Sequence, residues 1–566
     1  MIRRPSATSG DSTGAAIEQA GTTPTNPAGT SDQQDQLFKR HLGWVSLAAM
    51  TFSGMVGSGW LFAAFYAAKA AGPAALAAWV IGGAVTVLVG ITFVELGVTR
   101  PFSGGAVRWP ALILGPFCGV MVGWVLFMQV ALAAPGEASG IMQYSSTWWP
   151  ALMSGKKLSP LGLTMAVLVL IAIVGVNWFG IRLLARANNL LTIFKVIVPL
   201  LTVVMLLATG FHTGNIKAGG GWAPFGAGAM LTALTGAGLV YSFGGIQFVS
   251  AGMAGEARRP RRDIPLGTFV GFGGAFVLYL LLQTSYLGGV PQHMLAAAGW
   301  HGINFQSPFA DLAVLLNLGW LSTLLIIDAT ISPTANVFVS TSYYARNTYG
   351  NGQNHTFPAW VAKVDAKSGV PRNALALNLA VSILFLLIFQ SWQALATALS
   401  MFFAVSYAAI AMAAGMNRHD SRVTERPWFR GTRFVAPAAF AVSALIMYWA
   451  SWPKVRIAIL LILISIPLFL ILTRTDPTHI PTTSFKTGAW FLVLILMIGL
   501  TSFMGSFGGQ DWISAPWDSI IVAVCSLAIY VWGARSSKSW LRTQHLATAG
   551  NPAHATHTTT PRADPA

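Results

Sequence analysis

The sequence predicts an all-α integral membrane protein with a core of two five-helix repeats in opposite orientation, and three observations predict it. Of the 566 residues, 54% are hydrophobic and only 9% charged, too few ionic groups to cover a soluble surface. Apolar stretches long enough to cross a hydrocarbon core of about 30 Å recur along the chain. Two of them, five spans apart, are broken near their middles by glycine: Gly54-Met55-Val56-Gly57-Ser58-Gly59-Trp60 and Ser242-Phe243-Gly244-Gly245-Ile246-Gln247.

The spans fall near 43–68, 73–97, 113–146, 160–179, 188–210, 228–254, 266–288, 310–345, 372–390, 393–415, 434–452, 455–473, 488–507 and 516–534. The first and sixth carry the breaks, and each opens a run of five. Because five is odd, the second run is inverted, as in carriers whose halves rock around a midplane site. The domains expected are a polar tail over 1–36, repeats over 37–211 and 212–417, peripheral helices 11 to 14 over 418–536, and a second tail over 537–566. Both tails read as disordered and cytoplasmic.

The formal charge is +17, but its placement says more than its sum. With the N-terminus inside, 27 of the 34 Lys and Arg fall on the cytoplasmic side. Outside lie Lys69, Lys156, Lys157, Lys217, Lys454 and Arg456, and Lys195 is within a span. The positive-inside rule therefore places both termini in the cytoplasm, with the plasma (inner) membrane as the expected location. The basic loops set topology, and nucleic-acid binding is the weaker reading. Cys118 and Cys525 sit in spans, which leaves no disulfide framework and no CxxC metal site. Three spaced histidines in the second tail, His545, His554 and His557, are a weak metal motif. No cofactor or metal is expected, and oligomeric state is not readable.

Unwound backbone at membrane depth leaves amides and carbonyls unpaired unless it lines a cavity or binds something. At the first break, Gly57, Ser58 and Gly59 offer free amides at the start of a half-helix, where the macrodipole adds positive character: a carboxylate cradle. Close packing of small residues is the alternative, and the matching break in the sixth span weighs against it. Trp60 and Phe243, beside the breaks, read as substrate lids or as packing.

After the second break the chain runs Glu256-Ala257-Arg258-Arg259-Pro260-Arg261-Arg262-Asp263-Ile264-Pro265. This segment resembles the amino acid-polyamine-organocation superfamily of permeases. Pro101-Phe102-Ser103-Gly104-Gly105, Gly123-Trp124 and Asn177-Trp178-Phe179-Gly180-Ile181-Arg182 agree with it, over roughly residues 40 to 420. A looser likeness to proton-coupled aspartate permeases rests on Gly57-Ser58-Gly59-Trp60-Leu61-Phe62 and on the extra C-terminal helices. The resemblance implies a five-plus-five inverted-repeat (LeuT-like) fold, with an amino acid held between helices 1, 3, 6, 8 and 10. It implies that Ser58 and Gly59 hold the substrate carboxylate, and that carbonyls near Met55, Tyr241 and Gly244 receive its ammonium. Gln247 stands where some exchangers of the family carry an acid, so the coupling group must lie elsewhere.

Lys195, in Leu191-Thr192-Ile193-Phe194-Lys195-Val196-Ile197-Val198-Pro199, is the first place to look, since an intramembrane ammonium is costly and functional by default. Proton-coupled relatives, by resemblance, carry a lysine here. Glu137, after Pro135-Gly136, is expected on the outer half, where it would meet a substrate ammonium or water. Asp328, mid-span, is a proton carrier, a partner of Lys195, or a hydrogen-bonded structural carboxyl. Glu95 reads as a gate or ion-pair residue with Arg100 or Arg262, and Glu256 as gating or structural. Ser332 and Thr334 line the site beside Lys195 on family position alone.

These features together point to a secondary carrier of an amino acid, moving it with protons, of which an acidic amino acid is one option. Exchange against a second amino acid or amine is the alternative. An embedded enzyme would need a polar catalytic cluster, and a primary pump a nucleotide loop; neither is in the sequence. A channel would dispense with coupling groups.

Overall fold

The computed structural model describes residues 42–102, 104–178, 183–365, 370–423 and 425–549. The 1–36 tail, Ser103, residues 179–182, and His554 and His557 lie outside that set, as does the His545 side chain. Among the described residues, apart from a short antiparallel hairpin, Met153–Ser154 against Lys157–Leu158, the regular structure is helical.

Each of the fourteen apolar stretches is helical over most of its described length. The first is two helices, α1 (Trp44–Met55) and α2 (Gly59–Ala71), followed by α3 (Ala75–Thr99), α4 (Gly105–Leu114), α5 (Pro116–Ser145), α6 (Pro160–Trp178) and α7 (Leu183–Thr209). Next come α8 (Gly226–Gly236), α9 (Leu239–Ser242), a π-turn at Phe248–Gly252, α10 (Pro260–Gly289), α11 (Gln292–Gly302), α12 (Pro308–Leu315), α13 (Gly319–Gln353), α14 (Arg372–Phe389) and α15 (Trp392–Asn417). The chain ends in α16 (Thr432–Tyr448), α17 (Trp452–Leu463), α18 (Ser465–Thr475), α19 (Ser484–Met504) and α20 (Trp517–Ala549). Among the described residues nine helical segments are long and apolar enough to span, accompanied by four shorter apolar helices. The protein is a multi-pass membrane protein.

Burial separates the layers. The apolar window of α15 is wholly buried and that of α5 is 89% buried, against 28% for α6 and 33% for α14. A helix apolar all round and buried sits at the centre, whereas one apolar and exposed faces lipid.

Three expectations change. The eighth span is interrupted between α12 and α13, where Asn317 adopts a left-handed conformation (φ 60°). The second tail is not irregular from 537: α20 continues to Ala549, with Leu541 buried and the Trp540 indole donating to the Leu112 carbonyl. Helices 11 to 14 are also more than an appendage. Their Leu461 carbonyl accepts from the Trp124 indole at 2.8 Å, and Phe469 and Phe485 pack edge-on against Phe117 of α5.

Candidate functional site

Both glycine breaks are present, and they touch. Between α1 and α2 the helix opens at Val56 and resumes after Ser58. Between α8 and the π-turn it opens at Ala237–Gly238 and again at Phe243–Gly245. A Cβ at Gly245 would stand 2.7 Å from the Gly54 carbonyl carbon and 2.8 Å from the Met55 nitrogen. Only glycine lets two backbones approach that closely.

The carboxylate cradle is already filled. Ser58 N–H donates to Glu137 Oε2 at 2.7 Å, while Oε1 accepts from the Tyr241 hydroxyl at 2.6 Å and from Asn336 Nδ2 at 2.7 Å. Gly57 N–H is turned back onto the Met55 carbonyl. Glu137, in the last third of α5, therefore stands at the level of the break, with its carboxyl at the N-terminal end of α2. The expected ammonium acceptors are partly engaged as well: Met55 O accepts from the Tyr279 hydroxyl at 2.8 Å, and Tyr241 O accepts from Gly244 N–H at 2.9 Å. What remains is a cavity of about 20 Å³ lined by Met55, Glu137, Tyr241, Gly244, Asn336 and Tyr344, among others. That is room for about one water, so an amino acid needs the site to open.

Above it sits an aromatic layer. The Trp392 indole donates to Ser58 Oγ at 2.7 Å, and its ring stacks on Phe62 (4.7 Å between centroids) and Tyr66 (5.7 Å) and meets Tyr241 edge-on. These are the residues that cover the break. Trp60 and Phe243, which the sequence left as lids or packing, pack away from the cavity: Trp60 against Phe309, Phe243 among Trp79, Tyr279 and Phe272. Nor do Gly59 and Gln247 line it. A Cβ on Gly59 would meet Ser242 Oγ, and the buried Gln247 leaves its Oε1 without a partner.

Lys195 is buried on α7 and donates to the Ser53 carbonyl at 3.2 Å and to Ser53 Oγ at 3.3 Å, tying α7 to α1 just before the break. It lies within electrostatic reach of Glu137 and Asp328, but no direct ion pair joins it to either among the described residues. Asp328 Oδ1 accepts from Ser332 Oγ at 2.9 Å, and its buried Oδ2 has no partner. Ser332 thus belongs with Asp328, whereas Thr334 spends its hydroxyl on its own helix, at the Thr330 carbonyl.

The pairings of Arg100, Glu95 and Glu256 differ from expectation. Arg100 pairs with Asp420 and donates from Nε to Asn417 Oδ1 at 2.7 Å, leaving Glu95 to accept from the Phe429 N–H at 2.9 Å. Glu256 pairs with Arg346 at 3.3 Å, and its backbone carbonyl accepts from Leu42 N–H.

Asn336, Ser340 and Tyr344 line the cavity and were absent from the sequence reading. Their spacing of four, one face of α13, was the available signal. Metal-type donors also meet unforeseen: His355, Asp476 and His479, with ligating atoms within 4.8 Å of one another, far along the chain from the breaks. Each imidazole Nδ1 is hydrogen-bonded to the Asp476 carboxylate, at 2.6 and 2.8 Å.

Comparison with known proteins agrees with this architecture. A family model described as amino acid permease matches residues 42–500. The chain is 36% identical over 507 residues to the glutamate/serine transporter AimA of Bacillus subtilis (strain 168), covering 88% of this chain and 94% of that one. It is 32% identical over 505 residues to the aspartate-proton symporter of the same organism, covering 88% and 96%. A more distant relative, cationic amino acid transporter 7, chloroplastic, of Arabidopsis thaliana, is 26% identical over 361 residues, covering 60% and 59%.

Proposed function

Because the chain belongs to the amino acid permease family, we propose that it loads its substrate at the contact between the two breaks and carries it together with a proton. It is a membrane transporter and not an enzyme. The names of two relatives, a glutamate/serine transporter and an aspartate-proton symporter, support an acidic or small polar amino acid as substrate and a proton as the coupled ion.

One observation carries the mechanism: the Glu137 carboxylate accepts from Ser58 N–H, Tyr241 and Asn336 at once. This side chain holds the amide that a substrate α-carboxylate would take. Two carboxylates cannot share one donor in a site with little water, since like charges in low dielectric repel strongly. Protonating Glu137 removes its charge and turns one oxygen into a donor, which frees Ser58 N–H for the substrate. Proton and substrate then enter together, and alternating access follows as the halves rock. Lys195 fixes the end of α1 through Ser53 and helps to balance the charge of Glu137 and Asp328.

This reading includes the five-plus-five inverted repeat, a plasma membrane location and cytoplasmic termini, supported by the odd offset between breaks and by the positive-inside count. The test is Glu137→Gln in proteoliposomes. Counterflow of radiolabelled substrate is expected to survive, while accumulation driven by an inward pH gradient is lost. Undiminished pH-driven accumulation by the variant would overturn the coupling role. Uptake by the native carrier that requires internal amino acid would instead favour exchange.

A further inference from the structure

Two of the six basic residues that the charge count leaves outside, Lys69 and Lys156, converge on one cavity. Its volume is about 450 Å³, within the range of small-molecule sites. Phe65, Tyr66, Gln143 and His301 line it beside the two lysines, and no Asp or Glu does. Lys69 Nζ is held by the Ile303 carbonyl at 2.8 Å and lies 5.5 Å from the Phe65 ring. Lys156 is exposed at the rim, and the two ammoniums repel one another. Neither has a carboxylate partner among the described residues. His301 lies beside them, its Nδ1 2.5 Å from the Lys69 carbonyl.

One aromatic side chain links the cavity to the central site. Tyr66 is common to its lining and to the aromatic layer on Trp392, and Trp392 in turn holds Ser58. Unpaired like charges gathered in a cleft of one sign raise the local concentration of anions. A dicarboxylic amino acid, net −1, gains from that field; a zwitterion such as serine gains little, and a cationic amino acid is repelled.

We propose that this vestibule is a capture site for dicarboxylic amino acids, where the Lys69 and Lys156 ammoniums hold the substrate's extra carboxylate before the Phe62–Tyr66–Trp392 layer opens. The inference rests on the acidic-substrate reading above and on the outward orientation of this face.

The test is the Lys69→Gln/Lys156→Gln double variant, assayed for glutamate and serine uptake in right-side-out proteoliposomes. The KM for glutamate is expected to rise roughly 3- to 10-fold with kcat retained, and the KM for serine to stay unchanged. Raising the salt concentration should increase the KM for glutamate of the native carrier but not of the variant. Lys69→Arg/Lys156→Arg should restore native behaviour. Serine uptake by the double variant reports that it is folded. An unmoved KM for glutamate, or an equal rise for serine, would overturn the capture site alone. A native carrier that takes serine but neither glutamate nor aspartate would overturn the acidic-substrate reading and the capture site with it.

Discussion

Glu137 concentrates more of the site's chemistry than any other side chain, and its place was only half legible. Its residue type and its helix could be read from the sequence. Its partners could not, because Ser58, Tyr241 and Asn336 lie on other elements and only packing brings them to one carboxyl. Gly245 is the opposite case. The sequence marked it as a break, and the structure gives the physical reason, a backbone contact with Gly54 and Met55 that leaves no room for a methyl group. Gly245→Ala is therefore expected to strain the contact by about 1–3 kcal/mol, as overpacking does elsewhere. Initial uptake rates should fall at least roughly tenfold while the protein still reaches the membrane at normal levels. Normal rates would mean that the two breaks are not in contact in the working carrier.

Among the elements, the join between α3 and α15 is where charge fastens two C-terminal helix ends together. Arg100, just past α3, meets Asn417 and Asp420 at the end of α15, and Arg422 closes on the same carboxylate. Burial works against the charged form of Asp420, but the Arg422 hydrogen bonds and the Arg100 ion pair outweigh it and hold the carboxyl down at about 2. A depressed carboxyl stabilises the fold at every pH above its unfolded value, near 3.9, and loses that contribution only as pH falls towards about 2. The clamp is therefore constant across a transport assay between pH 5 and 8, and any pH dependence there must arise elsewhere. Asp420→Asn is expected to leave Arg100 poorly compensated at a cost of about 3–5 kcal/mol. A melting midpoint in detergent well below that of the native protein, with an unaltered pH profile of residual uptake, is the outcome to look for. The Arg100–Glu95 alternative was as reasonable from sequence, since both lie at one end of the same helix. Only packing decides which acid the guanidinium reaches.

At the scale of the whole molecule, α16 to α20 cover the central helices, so their removal matters. Phe440, Met447, Tyr448 and Trp490 are buried, and cutting the chain after Asn417 would strip the partners of α15 and α5. A protein ending there is expected to run as aggregate in size-exclusion chromatography; a monodisperse, transport-competent truncation would refute the covering role. By itself the sequence determined the membrane class, the positions of the apolar helices, the two breaks and the family, because apolar length, glycine and short motifs are local signals that need no partner to be read. Only the tertiary structure decided that the breaks touch, that the Glu137 side chain takes the Ser58 amide, that Trp392 and not Trp60 covers it, and that Lys69 and Lys156 share a cavity. Each of those facts is a distance between segments far apart in the chain, set by how the helices pack and written in no single stretch of sequence.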